Sequence, residues 1–277
     1  MYIWRKRAGA DWLRRQGEGL LARFGSALAT IEQPGKARTL VEVTCHTQNE
    51  AVQLRDGFGG AIEKLRADWL QQLAKKTRAR PLRIGSRLIV NRGPLSKSKG
   101  TRTIVIPAEA AFGTGDHATT AMCLRMLERI TRKRPSGWSM LDAGTGSGIL
   151  AIAASCFGAN RIIAVDNDPR ACAIGRRNAE GNGIRNIKFR TGDVLTQTFS
   201  RKFDIITANL YSEILITALP AWTRALAGDG CLILSGVLRS QERALVAVLR
   251  RNGFAVRETR RRGKWIALLA FCARKNS

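Results

Sequence analysis

Residues 138–167 read WSMLDAGTGSGILAIAASCFGANRIIAVDN. A short apolar run ends in Asp142, and glycines follow at alternate positions, Gly144, Gly146 and Gly148. An apolar helical pattern comes next, then a second apolar run that ends in Asp166. The order is strand, tight turn, helix, strand. Glycine lets a backbone turn sharply and approach a ligand with no Cβ in the way. In an open α/β sheet ligands bind in the crevice at the carboxyl ends of the strands, so both acids are expected at one nucleoside-type site.

The same alternation extends outward. Residues 103–107 read as a strand, 108–120 as a glycine-rich loop and 119–132 as a helix with apolar Met122, Leu124, Met126, Leu127 and Ile130. Further strands are expected at 139–141, 162–165, 187–190, 203–208, 231–235, 255–258 and 265–271, with helices at 148–157, 169–182, 213–226 and 240–252. Asp168 and Pro169 supply an N-cap and an N1 proline, and Gly183 and Gly253 sit where helices end. Helices between strands imply crossover connections and a mainly parallel sheet, closed by an antiparallel C-terminal pair.

The glycine turn is G-x-G-x-G, because position 149 is Ile, and no G-x-x-x-x-G-K-[ST] is present. A carboxylate at Asp142 would repel a pyrophosphate and attract a cationic amino acid moiety. Asp166 can accept from both ribose hydroxyls, and Asp193, after the third strand, can meet an adenine edge. The set favours a nucleoside without phosphates, S-adenosylmethionine or its demethylated product. For any one of these residues, use of Asp or Gly simply to turn the chain is the plain alternative.

The N-terminal residues 1–80 read as a small α+β module: a strand starting at Tyr2, a helix within 12–28, a strand at 40–45, a helix at 48–55, a break at 57–60, a strand at 61–65 and an amphipathic helix at 68–76. Residues 81–90 carry strand signals around Gly85, and 91–102 form a basic, polar stretch. The expected organisation is a module over 1–80, a linker over 81–102 and the main domain over 103–277.

Forty-seven Lys and Arg against 21 Asp and Glu leave a net charge of +26. Such a field attracts polyanions, so contact with RNA or a ribonucleoprotein is expected. Six scattered cysteines with no C-x-x-C spacing read as reduced thiols, and with only two histidines, His46 and His117, no metal site is expected. No apolar run approaches membrane-spanning length, and no apolar core follows the basic residues near the N-terminus. The expected location is the cytoplasm, with no membrane contact.

Four stretches resemble, in order and spacing, the PrmA family of bacterial methyltransferases that act on a large-subunit ribosomal protein: FGTGDHATT (112–120), LDAGTGSGILAIAA (141–154), AVDNDPRA (164–171) and TANLYSEIL (207–215). The resemblance covers about residues 80–271. It implies a Rossmann-like class I methyltransferase domain with S-adenosylmethionine as cofactor, and methyl transfer to lysine amino groups of a ribosomal protein. It implies cofactor-binding roles for Thr120, Gly144, Asp166 and Asn209, with Phe112, Gly113 and Thr114 as a flap over the cofactor and Gly146 close to it. Asn209 is the implied catalytic residue, its amide carbonyl accepting from the incoming amine; read without the resemblance, it is equally a helix cap. The first 80 residues align only loosely, and they are basic where the family's substrate-recognition module is commonly acidic. An RNA methyltransferase on the same fold and a non-catalytic ribosome- or RNA-binding protein are the alternatives.

Overall fold

The computed structural model describes residues 2–24, 27–31, 38–45, 47–64, 81–91, 101–107 and 117–273. The expected helix at 68–76, the basic stretch 92–100 and the glycine-rich segment 108–116 lie outside the described residues. The chain divides into two compact units, Met1–Arg78 and Ala79–Ser277.

The first unit comprises β1 (Tyr2–Ala8), α1 (Ala10–Phe24), β2 (Leu28–Ile31), β3 (Thr39–Cys45), α2 (Gln48–Phe58) and β4 (Ala61–Lys64). Its strands form an antiparallel sheet in the order β2-β3-β1-β4, a pair of split β-α-β units. Alternation in β1 and β3 turns Trp4, Ala8, Val41, Val43 and Cys45 toward Leu20, Ala51 and Leu54 of the helices. The expected first helix extended to Leu28, but Leu28 pairs with Val43 and so begins β2. The expected break at 57–60 starts later, because Phe58 stays helical and packs its ring 6.2 Å from Trp4. Trp4 Nε1 then donates to the Gly59 carbonyl at 2.8 Å.

In the second unit, β5 (Leu82–Ile84), β6 (Leu88–Asn91) and β7 (Arg102–Val105) form a three-stranded sheet, antiparallel then parallel. The strand signals expected around Gly85 correspond to a hairpin over 82–91 that turns at Gly85, where φ is 56°, so these residues are not part of the linker expected over 81–102. Ile84, Leu88, Val90 and Ile104 enter the main core, which is why the segment is ordered structure and not a tether.

The remaining elements are α3 (Ala118–Thr131), β8 (Ser139–Ala143), α4 (Ile149–Cys156), β9 (Arg161–Asp166), α5 (Pro169–Gly181), β10 (Ile187–Thr191), β11 (Phe203–Asn209), α6 (Ser212–Ala225), β12 (Leu226–Leu238), α7 (Glu242–Arg251), β13 (Phe254–Arg262) and β14 (Trp265–Cys272). The seven-stranded sheet runs β10-β9-β8-β11-β12-β14-β13. The pairs from β10 to β12 are parallel and β14 is antiparallel to both neighbours, the expected arrangement. Every residue of β8 is buried, as a central strand covered on both faces requires. One core layer packs α3, α4 and α5 on one face; a second, with Trp222, Phe203 and Phe254, lies beneath α6 and α7. The chain steps outward from β8 to β10, then returns to place β11 on the other side of β8. The carboxyl ends of β8 and β11 therefore flank the topological switch point.

Among the described residues no helix is long and apolar enough to cross a membrane. All six cysteines are free thiols, and burial pushes Cys123 and Cys231 up to about 12.

Candidate active site

A cavity of about 710 Å³ opens at the switch point, within the size range of sites for small organic ligands. The glycine turn forms one wall. Gly144 N and Thr145 N both donate to the Val165 carbonyl, at 2.8 and 3.0 Å, so the turn is stapled to the end of β9. Gly144, Gly146 and Gly148 have φ of 72°, 53° and 79°, a region that L side chains rarely adopt. Two of the three also leave no room for a Cβ. At Gly144 it would lie 2.4 Å from Leu210 Cδ2, and at Gly148 3.0 Å from the Cα of Gly175 on α5.

Asp166 lines the cavity with its carboxylate held by backbone donors: Gly146 N reaches Oδ2 at 2.8 Å and Asp168 N reaches Oδ1 at 3.1 Å. Asp193 also lines it, oriented by Leu195 N at 2.9 Å to Oδ1. Asp142 does not. It is buried beneath the turn, where the Thr145 and Thr207 hydroxyls each donate to one carboxyl oxygen at 2.7 Å. The expectation that Asp142 attracts a ligand's cationic group directly is thereby corrected, since Thr145 of the turn and its strand partner Thr207 occupy its two oxygens. Burial raises its carboxyl to about 6.

Across the switch point, Asn209 ends β11 and lines the cavity. Its Nδ2 donates to Thr120 Oγ1 at 3.2 Å, while its Oδ1 is buried with no hydrogen-bond partner among the described residues. Thr120 is on α3, 1% exposed, and meets Asn209 without lining the cavity itself. The helix-cap alternative for Asn209 does not hold, because α6 has Tyr211 at its N-cap. Of the residues singled out from the sequence, Gly144, Gly146, Asp166 and Asn209 converge on the cavity, with Thr120 behind them. Phe112, Gly113 and Thr114 lie outside the described residues. Tyr211, 71% exposed, stands at the cavity, whereas Glu213 accepts from Gln241 Nε2 at 3.4 Å.

Sequence reasoning missed the opposite wall. Leu210 is wedged between Gly144 and Gly236; a Cβ on Gly236 would sit 2.3 Å from the Leu210 carbonyl oxygen. Gly236 lies at the bulge between β12 and β14, and a glycine inside a strand pattern was the available signal for that close approach. Trp265, the first residue of β14, lines the cavity with its ring 5.0 Å from that of His117 at an edge-on angle of 70°. His117 Nδ1 pairs with Thr119 Oγ1 at 2.7 Å, and burial together with nearby Lys264 lowers its pKa. Val194, Leu195 and Ile214 complete an apolar side that no motif announced. Among the described residues that line the cavity there is no Lys or Arg. The two carboxylates that line it, Asp166 and Asp193, suit an uncharged or cationic ligand.

A family model described as "Ribosomal protein L11 methyltransferase (PrmA)" matches residues 29–272. The ribosomal protein L11 methyltransferase of Pelotomaculum thermopropionicum is 38% identical over 206 residues, 73% of this chain and 65% of that protein. The one from Desulforapulum autotrophicum is 42% identical over 165 residues, 58% of this chain and 52% of that protein. The match thus spans between half and two thirds of the length of these relatives. The crystal structure of a ribosomal protein L11 methylase from Lactobacillus delbrueckii subsp. bulgaricus superposes with a TM-score of 0.62 at 30% identity, covering 70% of this chain and 98% of that one.

Proposed function

The chain belongs to the ribosomal protein L11 methyltransferase family, and from that premise we propose that it transfers a methyl group from S-adenosylmethionine to a lysine amino group of a ribosomal protein. The observation that carries the reading is the buried Oδ1 of Asn209, unpaired among the described residues, at the wall of a cavity edged by two carboxylates. A buried acceptor without a donor costs about 1 to 3 kcal/mol, so such an atom calls for a ligand that supplies one.

The residues present fit the cofactor. Asp166, already fixed by Gly146 N and Asp168 N, retains acceptor capacity for a ribose diol. Asp193 would accept from the amino edge of a base, and the glycine turn admits the backbone close to the ligand. The lining carboxylates Asp166 and Asp193 agree with a sulfonium cofactor, which carries a positive charge. When bound, S-adenosylmethionine supplies an electrophilic methyl on a positively charged sulfur.

The chain's own part is orientation and desolvation. Thr120 Oγ1 holds the Asn209 amide, so that Oδ1 accepts an N–H from the incoming amine and directs its lone pair. Such alignment of reactants contributes up to roughly 7 to 11 kcal/mol. A lysine must arrive without its proton; its reference pKa is about 10.4, and an apolar wall of Val194, Leu195, Ile214 and Trp265 favours the neutral form. The N-terminal unit is the proposed recognition module for the protein substrate. The net charge of +26 supports contact with ribosomal RNA beside it, and a ribosomal protein substrate supports a cytoplasmic location.

Incubation with methyl-labelled cofactor and, separately, ribosomal protein L11 and ribosomal RNA tests the proposal. Label in the protein is expected, together with calorimetric binding of the cofactor that Asp166→Ala removes. Label in RNA alone would overturn the substrate assignment, and no cofactor binding would leave a ribosome-binding scaffold.

A further inference from the structure

β13 is the edge strand of the large sheet, and its register places a row of charge along one side. Glu258, Arg260 and Arg262 oppose Leu269, Ala267 and Trp265 on β14 and alternate onto the face that carries α3. There Glu258 is shared by Arg129 of α3 and by Arg260, at 2.7 Å from the latter. Arg261 turns to the other face and pairs with Glu242. Glu258 and Glu242 are thus both engaged. Among the described residues no ion pair is formed by Arg125, Arg262 or Lys264, which continue the row from the shared glutamate toward the cavity. Lys264 Nζ lies 5.5 Å from the centroid of the Trp265 ring, and Trp265 lines the cavity.

We propose that this strip, Arg125, Arg260, Arg262 and Lys264 along β13 and the outer side of α3, is a docking surface for the phosphate backbone of RNA at the rim of the catalytic cavity. Three observations carry it. Along the strip one carboxylate, Glu258, is shared by Arg129 and Arg260, while Arg125, Arg262 and Lys264 form no ion pair among the described residues; this excess of positive charge raises the free energy of the isolated chain and is reversed when a polyanion binds. Arg125 feels this directly: burial first, then Arg262 and Arg260, all oppose its charge. Arginines two residues apart on a strand project to the same side about 6.7 Å apart, a spacing suited to successive backbone phosphates, which guanidinium groups bind in bidentate fashion. And the strip offers a peptide no apolar anchor, because the exposed large hydrophobics among the described residues are Ile31, Leu195 and Tyr211, none of them here. The inference rests on the proposed ribosomal-protein substrate, in that RNA bound at the rim would flank a protein presented to the cavity.

The test compares two triple variants of the full chain with equal charge change: Arg125→Gln, Arg262→Gln, Lys264→Gln at the strip, and Arg176→Gln, Arg185→Gln, Lys188→Gln at the opposite edge. Fluorescence anisotropy of a labelled RNA hairpin of mixed sequence is read across a salt series, with polyglutamate of matched charge as the second probe. The strip variant is expected to lose about tenfold or more in affinity and about 2 to 3 from the slope of log K against log salt. The opposite-edge variant should lose less than about threefold on the same scale. Equal losses in both variants would reduce the effect to net charge and overturn the proposal, as would unchanged RNA binding by the strip variant. Polyglutamate bound as tightly as RNA, with the same loss at the strip, would replace RNA by an acidic protein partner. Calorimetric cofactor binding and methyl transfer to free ribosomal protein should be unchanged in the strip variant. They report folding, and they fail separately if the proposed activity is itself wrong.

Discussion

Replacing Asp142 by Asn should stabilise the protein at neutral and alkaline pH, with a gain that shrinks as pH falls and is gone below about 3.8. Folding buries this carboxyl and raises its pKa from an ordinary 3.8 to about 6, against the two threonine hydrogen bonds that pull it down. The folded state thus holds the proton more tightly than the unfolded one. Stability from this group is complete below 3.8 and is lost as pH rises through about 6. A shift of about two pKa units at roughly 1.4 kcal/mol each gives a loss near 3 kcal/mol at pH 8, of which about 1.4 kcal/mol falls between pH 5 and pH 8. Asn keeps the fit, because its carbonyl accepts from one threonine hydroxyl and its amide donates to the other. Urea or thermal unfolding of both proteins at pH 5, 6, 7 and 8 reads the effect as a difference, in which all other titrations cancel. The gap in favour of Asp142→Asn should widen by about 1.4 kcal/mol, or roughly 3 to 6 °C in Tm for a unit of this size. A gap that stays constant from pH 5 to pH 8 would refute the reasoning.

The two glycines that hold Leu210 separate side-chain from backbone crowding. Gly144→Ala and Gly236→Ala should each cost about 2 to 4 kcal/mol from positive φ and overlap; adding Leu210→Ala should recover part of the first loss, where the clash is with Cδ2, and none of the second, where it is with the carbonyl oxygen. Unfolding of the four single and double variants checks this. Asn209→Ala should lower the rate of methyl transfer by about 10²-fold while cofactor affinity changes little, and Thr120→Val, which removes the hydroxyl that holds the amide, by about five- to tenfold. Labelled-methyl assays with parallel calorimetry read both, and full turnover in either variant removes that residue from the chemistry. Asn182 grips β7 from the end of α5, with Val105 N to Oδ1 at 2.7 Å and Nδ2 to the Val105 carbonyl at 2.8 Å, so Asn182→Ala should destabilise the large unit by about 1 to 3 kcal/mol in chemical denaturation.

The sequence by itself determined the large sheet, because its signals are local. Apolar runs of strand length alternate with helical periodicity, Asp168 and Pro169 open α5, and Gly183 and Gly253 close two helices at φ of 69° and 79°. The same locality made Gly144, Gly146 and Asp166 legible, since turn geometry and the preceding strand demand those residue types in that order. Where neighbours distant in the chain decide, the reading failed. Residues 82–91 looked like part of a linker until Ile84 and Leu88 found the main core, and Leu28 belonged to a helix pattern until it paired with Val43. Asp142 carried the spacing of a ligand-facing acid, yet Thr207, 65 residues away, closes it off. The tertiary structure alone brought Leu210, Gly236 and Trp265 to the cavity and left Asn209 Oδ1 without a partner among the described residues. Hydrogen-bond satisfaction and close packing are settled between elements, and a chain read in one dimension holds the periodicity of each element but not the contacts between them.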